Sequence, residues 1–159
     1  MGIKPELAGQ KFSLDPFEVE RGKIREFAAA TGDDNPIYTD RTAARAAGYA
    51  DTPLPPTFGT VAGFWAQDET KQIKELGLPI AGMLHGEEEY FYLAPIYPGD
   101  TLTGERKIAS IIERKGKSGS MQIVTLETLY TNRQGQEVLK SRTIIVLPEN
   151  MPEGKRTDA

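Results

Sequence analysis

The sequence predicts an α+β domain in which a curved antiparallel sheet of about five strands wraps around one long central helix. Three observations carry this. Thr57 to Leu76 reads as a single helix, apolar nearly all round through Trp65 and amphipathic beyond it. After Gly77 come four stretches rich in β-branched and aromatic residues, HGEEEYFYLAP, TLTGERKIASIIER, SMQIVTLETLYTN and QEVLKSRTIIVLP. A further extended stretch lies near Lys11 to Phe17.

Taken in order, Pro5 and Pro16 punctuate the first segment, and Val19, Ile24, Phe27 and Ala28 then recur at helical spacing. With Ala29 and Ala30 as strong helix formers, a helix is expected over about Glu20 to Thr31, weakened in its first turn by Gly22. Gly32, Asp33, Asp34, Asn35 and Pro36 stop it, because proline lacks the amide donor and restricts the residue before it. Asp40 is placed to cap a short helix over Arg41 to Ala47, closed by Gly48. ADTPLPP, Ala50 to Pro56, must be an ordered extended loop, since its prolines remove donors and fix φ. Gly59 and Gly63 share one face of the helix that Thr57 caps, a spacing that suits close packing on a sheet. The clusters Tyr97-Pro98-Gly99-Asp100, Lys115 to Gly119 and Asn132 to Gly135 read as turns between antiparallel hairpins. The chain, 1–159, reads as one domain with a core over about residues 12–147 and a loose tail over 148–159. The open edge of such a sheet favours pairing with a second chain, so a dimer is expected.

Composition narrows the chemistry. The 159 residues include 38% hydrophobic and 26% charged side chains, which excludes intrinsic disorder. Zero cysteines exclude disulfides, thiolate nucleophiles and Cys-based metal sites. A single imidazole, His85, excludes any His-pair metal site within one chain, so no metal is expected. A net charge of −4 offers no basic face for nucleic acid. Neither a secretory h-region nor a run of about 18 apolar residues is present, so no membrane association and a cytoplasmic address are expected.

The most specific stretch is FAAATGDDNPIYTD, Phe27 to Asp40, where a helix ends in Gly32, Asp33, Asn35, Pro36 and Ile37. Together with PPTF at Pro55 to Phe58 and LHGEEEYFYLAPIYPGDTL at Leu84 to Leu102, it resembles the MaoC-like hot-dog hydratases and dehydratases, in the N-terminal type of the fungal fatty-acid-synthase-like dehydratase subunits. The likeness spans about Phe12 to Leu147. It implies a hot-dog fold and hydro-lyase chemistry of fatty acid metabolism on an acyl thioester, carried by CoA or acyl-carrier protein, with no cofactor. It also implies a homodimer, or a heterodimer with a second MaoC-like chain.

Adding water across an enoyl thioester, or removing it from a 3-hydroxyacyl thioester, needs an acid–base pair and donors for the carbonyl oxygen as enolate charge develops. In the family a carboxylate and an imidazole hold the water, and amides at the start of the central helix face the carbonyl. The resemblance places Asp33 as the carboxylate with Asn35 beside it, and Thr57, Phe58, Gly59 and Thr60 as the oxyanion and substrate-binding segment. The departure is Tyr38, which stands where catalytic members carry His. An unperturbed imidazole titrates near pH 6.5, whereas a phenol near 10 normally only donates a hydrogen bond.

Three readings follow. In the first, the chain is the substrate-binding half of a heteromeric (3R)-specific hydratase or dehydratase whose partner supplies the intact Asp and His. In the second, a homodimer is self-sufficient, using Asp33 with Tyr38 as donor or recruiting His85. In the third, the same fold serves an acyl-CoA thioesterase or acyl-binding module. In an alternating strand at least one of Glu87, Glu88 and Glu89 must point inward or toward a partner chain, while the run is read as a solvated or interfacial face, and the Glu113-Arg114-Lys115 and Lys140-Ser141-Arg142 clusters as charged strand ends able to meet the phosphates of CoA or a carrier protein.

Overall fold

The computed structural model describes residues 3–65, 82–116 and 119–149. Five strands form one antiparallel sheet: β1 (Lys11–Glu18), β2 (Leu84–Tyr92), β3 (Thr101–Gly116), β4 (Gly119–Thr131) and β5 (Glu137–Pro148). Three helices accompany it, α1 (Arg21–Ala30), α2 (Arg41–Ala46) and α3 (Gly59–Trp65). The continuation of the central helix expected to Leu76, and the tail beyond 149, lie outside the described residues.

The spatial order is β1-β3-β4-β5-β2. The β3–β4 and β4–β5 hairpins match the turn clusters, but β2 and β3 do not form the hairpin that the Tyr97–Asp100 turn suggested. Instead β2 pairs with β5 at one edge while β3 pairs with β1 near the other. The turn is real, with Asp100 N–H donating to Tyr97 O at 3.1 Å and Gly99 at φ 95°. Its amides are spent on the end of β1, where Gly99 N–H donates to Val19 O and Val19 N–H to Asp100 O, both at 2.8 Å. The segment after β2 therefore carries the chain across to β1. In β1 itself the register shifts between Leu14 and Phe17, around Pro16, which has no N–H to give to the ladder.

Both short helices end in the same way. At the end of α1, Gly32 takes φ 71°, its N–H donates to Ala29 O at 3.2 Å, and Asp33 N–H reaches back to Ala28 O at 2.9 Å. At the end of α2, Gly48 takes φ 94°, and Gly48 and Tyr49 repeat these bonds to Arg45 O and Ala44 O. These are Schellman closures, which only a residue free to adopt positive φ makes cheaply. Asp33 and Tyr49 are thus delivered at equivalent places, just past the glycine.

The core is divided. One cluster joins Phe17, Ile24, Ala28, Tyr38, Phe58, Ala62, Leu102, Tyr130 and Leu139 beneath α1 and α3, and a second joins Ile3, Ile108, Val124, Leu126, Ile145 and Leu147. Between them a polar cross-strand row runs from Arg106 through Thr128 and Ser141 to Tyr90. In that row Arg106 Nε donates to the buried Thr128 Oγ1 at 3.0 Å.

Candidate active site

A cavity of about 500 Å³ opens where the α1–α2 corner, the proline loop and the end of β2 meet. Its lining is aromatic and proline-rich: Tyr38, Tyr49, Tyr92 and Tyr97 stand with Pro53, Leu54, Pro56 and the 93–96 segment. Four of the six tyrosines in the chain therefore face one space.

Asp33 is half-buried at the edge of this corner. Its Oδ1 accepts from Asn35 N–H at 3.1 Å, and Asn35 Oδ1 in turn accepts from Ile37 N–H at 3.2 Å, capping the 3-10 turn Pro36–Tyr38. One oxygen of each side chain thus builds the turn that inserts Tyr38 into the core. Asn35 itself is exposed, and among the described residues Asp33 Oδ2 has no hydrogen-bond partner.

Tyr38 is 7% exposed, and burial pushes its phenol above the ordinary value, with the negative charge of Asp33 adding to the effect and Tyr49 contributing least. Both delivered residues therefore bear on Tyr38, one from each helix end. A phenol so placed keeps its proton across the neutral range and donates hydrogen bonds; it does not take up a proton from water.

The start of α3 is arranged differently from the oxyanion expectation. Thr57 is exposed, the Phe58 N–H donates to Pro55 O at 2.9 Å, and the Thr60 N–H donates to Thr57 O at 3.1 Å, so two amides are used in the turn itself. The third, from Gly59, hydrogen-bonds the Tyr92 oxygen. The Tyr92 hydroxyl then donates to Pro55 O at 3.3 Å, and desolvation of its hydroxyl end pushes it up to about 12. Tyr92 also lies close enough to Tyr38 for that phenol to add, as the smallest contribution, to the rise at Tyr92. The Phe58 side chain is buried, edge-on to Phe27 at 5.5 Å. Tyr92 is a lining residue that the sequence motifs did not single out; its place follows from strand alternation, which sends Tyr90 and Tyr92 to the helix side together.

His85 is not brought to this cavity. A register shift between His85 and Glu87, centred on Gly86, restores His85 to the same sheet face as Glu88, opposite Ile145 and Thr143 of β5. Glu88 thereby departs from the solvated reading of the acidic run. Burial raises its carboxyl above the usual range, while hydrogen bonds from Thr143 and Tyr90 and the charges of His85 and Arg106 oppose the shift. The Tyr90 hydroxyl also receives a bond from Thr60 of α3. The basic cluster lies within β5, between β4 and β2, and is engaged as well: Lys140 pairs with Glu127 at 3.7 Å and Arg142 with Glu89 at 3.3 Å, while Ser141 is buried. Among the described residues no group of three His, Asp or Glu side chains could hold a metal ion.

Comparison with known proteins bears on the family and the fold. The model of the FAS1-like dehydratase domain region matches residues 6–141. A UPF0336 protein of Streptomyces avermitilis is 37% identical over 147 residues, covering 92% of this chain and 95% of that protein. Among solved structures, the HadBC (3R-hydroxyacyl-ACP dehydratase) complex of Mycobacterium tuberculosis aligns with a TM-score of 0.75 at 27% identity, over 88% of this chain and 96% of the other. A MaoC-like dehydratase aligns with a TM-score of 0.77 at 26% identity, over 89% of this chain and 42% of that one.

Proposed function

The chain belongs to the FAS1-like dehydratase domain region family, with the hot-dog fold of the MaoC-like dehydratases, and on that premise we propose that it is the substrate-binding half of a heteromeric (3R)-specific hydratase or dehydratase of acyl thioesters. Its partner is a second MaoC-like chain that carries the intact Asp and His. The observation that supports this most is the state of Tyr38: a buried phenol beside Asp33, held protonated at the position where water must lose a proton.

Hydration transfers a proton from water to a base as the oxygen attacks C3, collects charge on the thioester oxygen, and delivers a proton to C2. Asp33, next to Tyr38 although not itself part of the cavity lining, offers a carboxylate oxygen without a partner among the described residues to orient a water. Tyr38 supplies a donor, to the water or to the thioester oxygen, but no exchangeable base. The proline and tyrosine walls offer a largely apolar surface for the acyl group. The missing base comes from the partner. The edge position of β2 and the exposed Leu84, Phe91 and Leu93 along and just after it support a docking strand.

The test is reconstitution. Purified alone, the protein is expected to hydrate a crotonyl thioester, carried by CoA or by a carrier protein, at well under about 1 per second, the lower end of ordinary enzymes. Addition of a MaoC-like chain with an unbroken Gly-Asp-x-Asn-Pro-x-His segment is expected to restore turnover. Fast hydration by the lone protein overturns the heteromeric reading, and release of free thiol in place of loss of enoyl absorbance assigns hydrolysis instead.

A further inference from the structure

The most heavily bonded charged group among the described residues is not in the hydratase motif. Asp51 lies in the loop between α2 and α3, with its side chain only 16% exposed. Arg21, the first residue of α1, grips both of its oxygens, Nη1 to Oδ1 at 2.5 Å and Nη2 to Oδ2 at 2.9 Å. Arg41, the first residue of α2, approaches Oδ2 at 3.0 Å. Arg21 Nη1 also donates to Oγ1 of the fully buried Thr52 at 2.9 Å, and Thr52 N–H donates to Asp51 Oδ1 at 2.6 Å.

Each arginine stands at a helix start, where the aligned peptide dipoles disfavour a cation, and neither helix has an acidic residue in its first turn. Asp51 offsets both ends at once. The bidentate pair is directional as well as charged, so it fixes orientation in a way that a lysine contact does not. Hydrogen bonds from Arg21 hold the Asp51 carboxyl well below the usual carboxylate range, so it is ionised at neutral pH.

What the clamp holds is the cavity wall. Pro53, Leu54 and Pro56 follow at once and line the space. On one side of the clamp Ala50 N–H donates to the Tyr97 hydroxyl at 3.3 Å, and on the other Pro55 O receives the Tyr92 hydroxyl. We propose that Asp51 is a positioning residue: by joining the starts of α1 and α2 to the 50–56 segment, it sets that segment as the fixed wall of the tyrosine cavity and so fixes where Tyr92 and Tyr97 stand. Its consequence for thioester affinity rests on the functional reading above, while its consequence for the wall does not.

The experiment compares full-length wild type with Asp51→Asn, labelled with ring-13C tyrosine, well below the unfolding midpoint. The Tyr92 and Tyr97 ring signals are expected to shift or broaden while that of Tyr130, buried in the core, stays in place. The dissociation constant for crotonyl-CoA is expected to rise about tenfold. Glu105→Gln, which removes the exposed Lys11–Glu105 pair on β1 and β3, serves as the stability control and is expected to leave those signals and the affinity unchanged. Should Asp51→Asn not fold, Arg41→Gln removes one arm only and is expected to give a smaller shift of the same two signals. Unmoved Tyr92 and Tyr97 signals overturn the proposal. If wild type does not bind crotonyl-CoA, the functional reading fails, and the ring spectra still decide the role of Asp51.

Discussion

The Tyr90 ring lies directly beneath Gly59, so close that a β-carbon added to the glycine would come within 2.5 Å of Cε1 and 2.6 Å of Cδ1, with Leu139 Cδ2 at 3.3 Å. The start of the central helix therefore rests on the sheet at a point where no side chain fits. This contact sets the height of α3 above β2, and with it the distance from the Gly59 amide to the Tyr92 oxygen.

Gly59→Ala should accordingly destabilise the fold by about 1–3 kcal/mol, the usual cost of overpacking a closed contact. Gly22→Ala is the counterpart, since in the first turn of α1 its added β-carbon meets nothing within 4 Å beyond its own helix backbone and chain neighbours. It should stabilise by up to about 1 kcal/mol. Thermal unfolding of the two variants checks both, and equal shifts would contradict the contact.

Phe58 is 1% exposed and meets Phe27 edge-on and Phe17 at 6.4 Å. Phe58→Ala should cost about 3–5 kcal/mol, because the rings around it come from α1 and β1 and cannot all close on the space left. Denaturant unfolding measures this, and a loss below about 1 kcal/mol would show that the first core cluster does not pass through this ring.

Glu88 carries a pH signature. Its folded carboxyl titrates above its unfolded value, chiefly through burial. The sign is therefore opposite to that of a salt-bridged acid: stability is greatest below the unfolded value and falls as pH rises through the raised folded one. Glu88→Gln removes that penalty, so the variant should unfold about 2 °C higher than wild type at pH 7. Its advantage should shrink as pH falls below the ordinary glutamate range. A pH-independent difference would contradict the assignment.

Much of the fold is legible in local sequence, because the signals that specify it are local. Gly32 followed by Asp33 and Pro36 announces the end of α1, and Asp40 and Gly48 bracket α2, where Asp40 Oδ1 does accept from Thr42 N–H at 2.6 Å. The crossing from β2 to β1 was not legible, since a Pro-Gly turn looks the same whether or not its flanking strands pair. The bulge at Gly86 reverses the parity of the strand, so alternation along the sequence does not reveal that Glu88 shares a sheet face with His85. The Asp51 clamp joins residues 30 apart in sequence, and nothing around Arg21 or Asp51 points to the other. At the cavity, the motif located Asp33 and Tyr38, while the occupation of the Gly59 amide by Tyr92 depends on where two distant elements cross.

The most direct test of the account is substitution at Tyr38 itself. If the chain binds a thioester beside Asp33 and lacks only an exchangeable base, Tyr38→His should raise hydration of crotonyl-CoA by the lone protein by about 10²-fold or more, the range of general acid–base catalysis. Loss of that gain on adding Asp33→Asn would tie it to the pair. Enoyl absorbance followed over time reads both. A Tyr38→His protein that folds and binds the thioester yet hydrates no faster than wild type, or a wild type already fast alone, would contradict the central claim.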